Sequence, residues 1–213
     1  MVATYDGVIT REQFESAPTY AEYIATIKQN RAKFDASYAG TTIAAPLAER
    51  LRALAAKPNG PAKLLVIGED WCPDVFRGMP VAQRIAEAAG IEMRVLPRDE
   101  HLDLAEHFKK DGEFLSIPVL IFLTRDFHHI AHLIERPARA NDEMHDALSP
   151  VFGPSGTRQL TEKLGRPPTE AEKEAAKAEA AQRYEALQNG PIWARWRDYT
   201  VAEVVEMLEA AVS

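Results

Sequence analysis

The chain has 213 residues, of which 46% are hydrophobic and 27% charged; this is the composition of a folded globular protein and excludes wholesale disorder. At this length roughly 70% of the surface exposed by the unfolded chain becomes buried, so neither disulfides nor metals are needed to fold it. The 25 basic and 32 acidic side chains leave a formal charge of −7, which disfavours a nucleic acid or an anionic membrane surface as partner.

The single cysteine, Cys72, excludes an intrachain disulfide and a multi-cysteine zinc site. Met1 to Asp6 carries no basic stretch leading into an apolar one, and no run approaches about 18 uncharged apolar residues, the length needed to span a bilayer. The chain therefore reads as cytoplasmic, with Cys72 resting as a thiol.

In chain order, residues 1–58 read as a helical segment. Thr10 with Gln13 and Thr19 with Glu22 fit capping boxes, in which side chains satisfy the orphan amides of a helix start. Tyr20, Tyr23, Ile24, Ile27 and Phe34 follow at helical spacing, then Leu47, Leu51, Leu54 and Ala55. Lys57-Pro58-Asn59-Gly60-Pro61 is a strong turn signal. The pattern then changes. Leu64 to Ile67 is a continuous apolar run, as expected of a strand covered on both faces. A helix is predicted over 74–89 and ends at Gly90, a strand over 91–96, a short helix over 102–110 and a buried strand over 119–123. Thr124-Arg125-Asp126-Phe127 then makes a turn into a last strand over 130–134. Residues 60–135 thus form one α/β core of order β-α-β-α-β-β, whose strand–helix–strand unit implies a parallel pair.

Residues 136–213 read as a helical, more polar segment of the same single domain. Gly153-Pro154-Ser155-Gly156 and Gly165-Arg166-Pro167-Pro168 are loops. Thr169 to Gln188 is a helix with a T-x-x-E start and an Asn189-Gly190 stop. Its stripe is mostly alanine until Tyr184 and Leu187, so it packs lightly on the body or on a partner, and self-association through these helices is the oligomeric expectation. A last helix is predicted to start at Thr200 with Glu203.

Cys72 sits where the first strand hands over to a helix, in Glu69-Asp70-Trp71-Cys72-Pro73-Asp74-Val75. Helix-start amides and the helix dipole favour thiolate over thiol, and Pro73 suits the first helical position. Glu69, Asp70 and Asp74 oppose the thiolate and Arg77 counters them. With the carboxylates turned to water, the helix terminus is expected to win and hold the thiol below its ordinary value of about 8.5.

These residues resemble the thioredoxin-like proteins. Trp71-Cys72 stands at the end of a buried strand, as in the W-C-x-x-C motif. Pro80, eight residues on, matches the kink proline of the family's helix, and Ile117-Pro118, with Pro118 46 residues after Cys72, opens a strand where the family has its cis-proline. The resemblance covers about residues 60–135. It implies a thioredoxin-like mixed sheet, Cys72 as nucleophile, and a groove formed by Trp71, Pro73, Ile117 and Pro118 that holds an extended substrate strand. The family's second cysteine falls at Val75. Cys72 can therefore attack a disulfide but cannot resolve the product internally, and turnover needs an external thiol such as glutathione. Pro73-Asp74-Val75 does not match the C-G-F-S type motif of members that bind iron–sulfur clusters with glutathione, so no cofactor is expected.

The leading function is monothiol thiol–disulfide exchange on a protein or low-molecular-weight disulfide. The alternative is a non-catalytic thioredoxin-like module that binds a peptide or protein in the same groove, with Cys72 inert. A peroxidatic thiol ranks third, lacking threonine or arginine at the required spacing. His128, His129 and His132 tempt a metal reading, but strand alternation puts His129 on the face opposite the other two, and no metal site is expected. Asp99-Glu100-His101 reads as loop and helix-start chemistry, and Trp193 with Trp196 as packing of the last helices.

Overall fold

The computed structural model describes residues 5–212; the stretch up to Thr4, part of the leader reading, lies outside the described residues. Contacts divide the chain into two compact units, one reaching Pro137 and including Arg197 onward, the other Ala138–Trp196.

The first unit opens with four short helices, α1 (Arg11–Ser16), α2 (Tyr20–Thr26), α3 (Arg31–Ala39) and α4 (Ala45–Ala55). Thr10 and Thr19 each cap as the sequence implies, with the Gln13 and Glu22 side chains reaching back to the cap amides. The stripe from Tyr20 to Phe34 is not one helix. It breaks at Ile27, and α3 restarts after Asn30, whose φ of 57° is left-handed.

The sheet is built from β1 (Lys63–Gly68), β2 (Glu92–Pro97), β3 (Val119–Leu123) and β4 (His129–Ile134) in the order β2-β1-β3-β4. The β1–β2 pair is parallel; β3 runs antiparallel to β1 and to β4. Between β1 and β2 runs α5 (Pro73–Ala89), with Gly90 left-handed at its end. Its residues Val75, Met79, Ala82 and Ile85 have no exposed surface, a burial that contributes about 1.5–3 kcal/mol for each large side chain. The other face of the sheet carries Leu65, Ile67, Val119 and Ile121, packed with Ile9, Phe14, Leu104 and Phe108. Coverage on both faces is why β1 and β3 are continuous apolar runs. Of the stretch 102–110 only α6 (Leu102–Ala105) is α-helical, followed by a 3₁₀ turn at Glu106–Phe108. The β2 edge is covered by Ala17–Thr19, with the Val95 amide donating to the Pro18 carbonyl at 2.9 Å.

Strand alternation fails at the histidines. The register runs from Phe122↔Ala131 to Leu123↔His129, a bulge with Ile130 as the extra residue, which turns the preceding side chain over. His129 and His132 therefore meet, with Nε2 and Nδ1 3.0 Å apart, against the rings of Tyr5 and Phe108. The Asp6 carboxylate accepts from the His129 amide at 2.9 Å. Among the described residues no three His, Cys, Asp or Glu side chains are grouped as a metal site. Burial, and then the neighbouring His129, push the His132 imidazole down to about 4. Between that value and about 6.5 the unfolded chain binds the extra proton, so stability is complete above about pH 6.5 and is lost as pH falls toward 4. Because the ring is not fully enclosed, solvent screening leaves an expected loss of about 1–2 kcal/mol. Urea unfolding at several pH values measures it, and His132→Phe should flatten the slope in that window.

The second unit holds α7 (Ala138–Phe152), α8 (Thr157–Leu164), α9 (Glu170–Gln188) and the start of α10 (Pro191–Ala211). Thr169 and Glu172 form a capping box. Trp193 and Trp196 are buried, with the Trp196 indole donating to Glu143 at 2.9 Å. The last helix starts nine residues before Thr200, because Pro191 supplies the preferred first helical position. In the first unit its remainder buries Val201, Val204, Val205 and Leu208, and Glu209 pairs with Arg50 of α4 at 2.6 Å. No helix of the described residues is long and apolar enough to cross a membrane.

Candidate functional site

Glycine lets α5 come close to the sheet. A β-carbon on Gly68, the last residue of β1, would lie 2.9 Å from Val75 Cγ1, and one on Gly78 would lie 3.1 Å from Pro118 Cγ. Helix α5 thus rests on both β1 and the start of β3, and Cys72 is its N-cap residue, in extended backbone, with Pro73 first in the helix. The Ile117–Pro118 peptide is cis. Ile117 and Pro118 are buried, Cys72 is half-buried, and the thiol donates toward the Ile117 carbonyl oxygen at 3.8 Å. Trp71 is 44% exposed and lies under the Arg98 guanidinium, 5.1 Å from ring centroid to carbon. Cys72, Trp71, Pro73, Ile117 and Pro118 therefore stand at one end of the sheet, where Cys72 is neither fully buried nor fully exposed.

The carboxylates do not point into water as the sequence reading supposes. Glu69 accepts from the Asp99 amide at 2.8 Å. Asp70 accepts from the amides of Lys28 and Gln29 at 2.8 and 3.1 Å, tying the α2–α3 connection to the cysteine loop. Asp74 pairs with Arg77 at 3.0 Å and with Arg136 at 3.6 Å. Arg77 has no exposed surface; it also reaches the Glu135 carbonyl at 3.4 Å and Thr200 Oγ1 at 3.5 Å. The hydroxyl expected to cap a helix at 200 instead serves this arginine.

Glu135, Arg136 and Lys110 were not legible as site residues. Glu135 pairs with Arg136 and with Lys110, the latter at 2.5 Å. The antiparallel register could have found them: Val119 faces Ile134, so the residues after β4 return beside Pro118.

The thiol is held above its ordinary value, not below it. Burial is the main cause, and the Asp74 and Glu135 charges add to it. The amides of Val75 and Asp74 pull the other way, but no capping hydrogen bond to the sulfur is completed. The Ile117 contact needs the protonated thiol, which also disfavours thiolate. A half-buried sulfur beside two carboxylates outweighs a helix start whose amides do not close on it.

The thioredoxin family model matches residues 17–149. The chain belongs to the thioredoxin family. The match extends beyond the core on both sides, to the residues just before α2 at one end and into α7 at the other. Among solved structures, a protein of unknown function from Pseudomonas aeruginosa aligns with a TM-score of 0.57 and 17% identity, over 95% of this chain and 99% of that one. An HIV epitope-scaffold aligns with a TM-score of 0.56 and 17% identity, over 98% and 99%. At that identity the likeness is one of fold. No curated protein matches the sequence. As a thioredoxin family member with one cysteine, the chain is a redox or binding module of the thioredoxin type.

Proposed function

We propose that this protein carries out monothiol thiol–disulfide exchange, with Cys72 as nucleophile and the segment at Ile117-Pro118 holding an extended stretch of partner beside it. The observation that carries this reading is the half-buried Cys72 at the start of α5, its sulfur 3.8 Å from the Ile117 carbonyl. Main-chain pairing gives affinity for an extended segment without requiring a particular sequence, and exposed Trp71 offers an apolar surface beside it.

In the first step Cys72 loses its proton to solvent and its sulfur attacks one sulfur of the partner disulfide. A Cys72–partner disulfide forms, and the other partner sulfur leaves as thiolate. An external thiolate of the glutathione class then attacks the partner sulfur, forms a new disulfide with it and expels Cys72 as thiolate. A sulfur with a raised pKa is a slow leaving group. The mixed disulfide is therefore long-lived, and the protein holds its partner covalently for longer than a dithiol enzyme would.

The second reading, a non-catalytic groove for a peptide or protein, is favoured by the raised thiol and by Val75 in the place of a resolving cysteine. Incubation with oxidised glutathione and with a disulfide-bonded peptide, at about pH 7 and 9, separates the two. On the first reading an adduct at Cys72 is detected by mass spectrometry on the folded protein, absent in Cys72→Ser, and forming up to about tenfold faster per pH unit as the thiolate fraction rises. An adduct that appears only after unfolding rejects exchange and leaves the groove as the function.

A further inference from the structure

Glu135 is a glutamate in a backbone region that β-carbons disfavour, with φ 67°; such residues persist where the surroundings over-determine them, and they gather at functional sites. Contacts of both its backbone and its side chain determine this one, among them the Arg77 guanidinium on its carbonyl at 3.4 Å. Its amide donates to the Pro118 carbonyl at 2.7 Å, one step beyond the last β3–β4 pair. Its carboxylate lies between Lys110, from the segment that leads to Pro118, and Arg136. Arg136 in turn reaches Asp74, two residues past Cys72. The contacts close a ring: Cys72 to Asp74 along the chain, across Arg136 to Glu135, through its amide to Pro118, and from Ile117 back to the sulfur.

We propose that Glu135 is the positioning residue of the Cys72 site: its left-handed turn fixes the Pro118 carbonyl, and its carboxylate, shared with Lys110 and Arg136, sets the charge that the sulfur meets. This rests on the thiol-exchange reading and deepens it, because the same residue fixes the groove and restrains the nucleophile. Asp74 on α5 and Glu135 after β4 are the charges that act on the sulfur, and each is paired: Asp74 with Arg77 and Arg136, Glu135 with Arg136 and with Lys110 before β3, while Arg197 of α10 acts on Arg77. Along the ion pairs from Arg77 through Asp74, Arg136 and Glu135 to Lys110 the sign alternates, so removing an anion and removing a cation have opposite consequences for the thiolate.

Iodoacetamide alkylation of the folded protein across pH reads this without any disulfide substrate. Glu135→Gln keeps the side-chain shape and should lower the midpoint, raising the rate at about pH 7.5 by roughly three- to tenfold. Lys110→Met should raise the midpoint and slow the same reaction by roughly threefold. Opposite signs support the proposal, since mere loosening of the site would speed both variants. Equal signs, or no change in either, overturn it. Hydrogen exchange at the Glu135 amide tests the backbone half. Protection that survives in Glu135→Gln supports the hold on Pro118, and exchange at the rate of an open turn in the wild-type protein overturns it. Failure of glutathione adducts with opposite-sign alkylation shifts would reject the exchange reading and leave this assignment standing.

Discussion

A Val75→Cys variant should form a disulfide between Cys72 and the introduced thiol and gain activity in dithiol-driven reduction, of which the wild-type chain shows little. Position 75 lies one turn beyond Cys72, and its amide donates to the Cys72 carbonyl at 3.1 Å. Residues so spaced in a first helical turn have Cα atoms about 5–5.5 Å apart, inside the window for a disulfide. Val75 has no exposed surface and touches Gly68, so the new thiol would be shielded, as suits a resolving group. Losing part of a buried side chain costs about 1 kcal/mol, which a domain of this size tolerates. With a second sulfur in reach, the mixed disulfide is resolved internally, and dithiol-driven reduction of a generic protein disulfide should rise at least roughly tenfold. An oxidised variant that never forms the bridge would show that the cysteine helix begins differently.

The second large effect is expected at Asp74, where stability and reactivity move in opposite directions. Asp74→Asn removes a carboxylate partner of the fully buried Arg77, and removing one partner of a buried ion pair is strongly destabilising. Asp74 keeps some contact with water, with 18% of its side chain exposed, so the expected loss is about 2–3 kcal/mol, less than the roughly 3–5 kcal/mol of a fully buried pair. The same change removes a charge that holds the thiol up, so the alkylation midpoint should fall. Urea unfolding and alkylation of one sample measure both. Unchanged stability would mean that Arg77 does not depend on this carboxylate.

The elements that the sequence made legible are those whose cause is local. Capping boxes at Thr10, Thr19 and Thr169 depend on residues three apart, and all three form. The two-sided burial of β1 and β3 follows from uninterrupted apolar runs. Trp71, Pro80 and Pro118 were recognisable by spacing, and the contact of Cys72 with the segment at Ile117 follows from that pattern. What escaped depends on distant partners. Thr200 resembles a helix start but its hydroxyl meets Arg77, 123 positions away in sequence. The bulge at Ile130 reverses the face of His129, and a bulge leaves no mark on alternation until the strands are paired. The sign of the thiol shift turns on where three carboxylates point, and each has a protein partner that the sequence does not name.

The contact between Gly78 and Pro118 sets a limit on how far this protein can be stabilised. Glycine in the middle of a helix is a weak point, and alanine there is ordinarily favoured by about 1 kcal/mol. Here the added methyl would press on the Pro118 ring at 3.1 Å, and the ring leads directly to the carbonyl that faces the sulfur. A helix optimised for its own propensity would gain rigidity by displacing the groove it supports. Residue 78 is thus a position where conformational economy and site geometry compete, and glycine is the side chain that leaves the geometry intact.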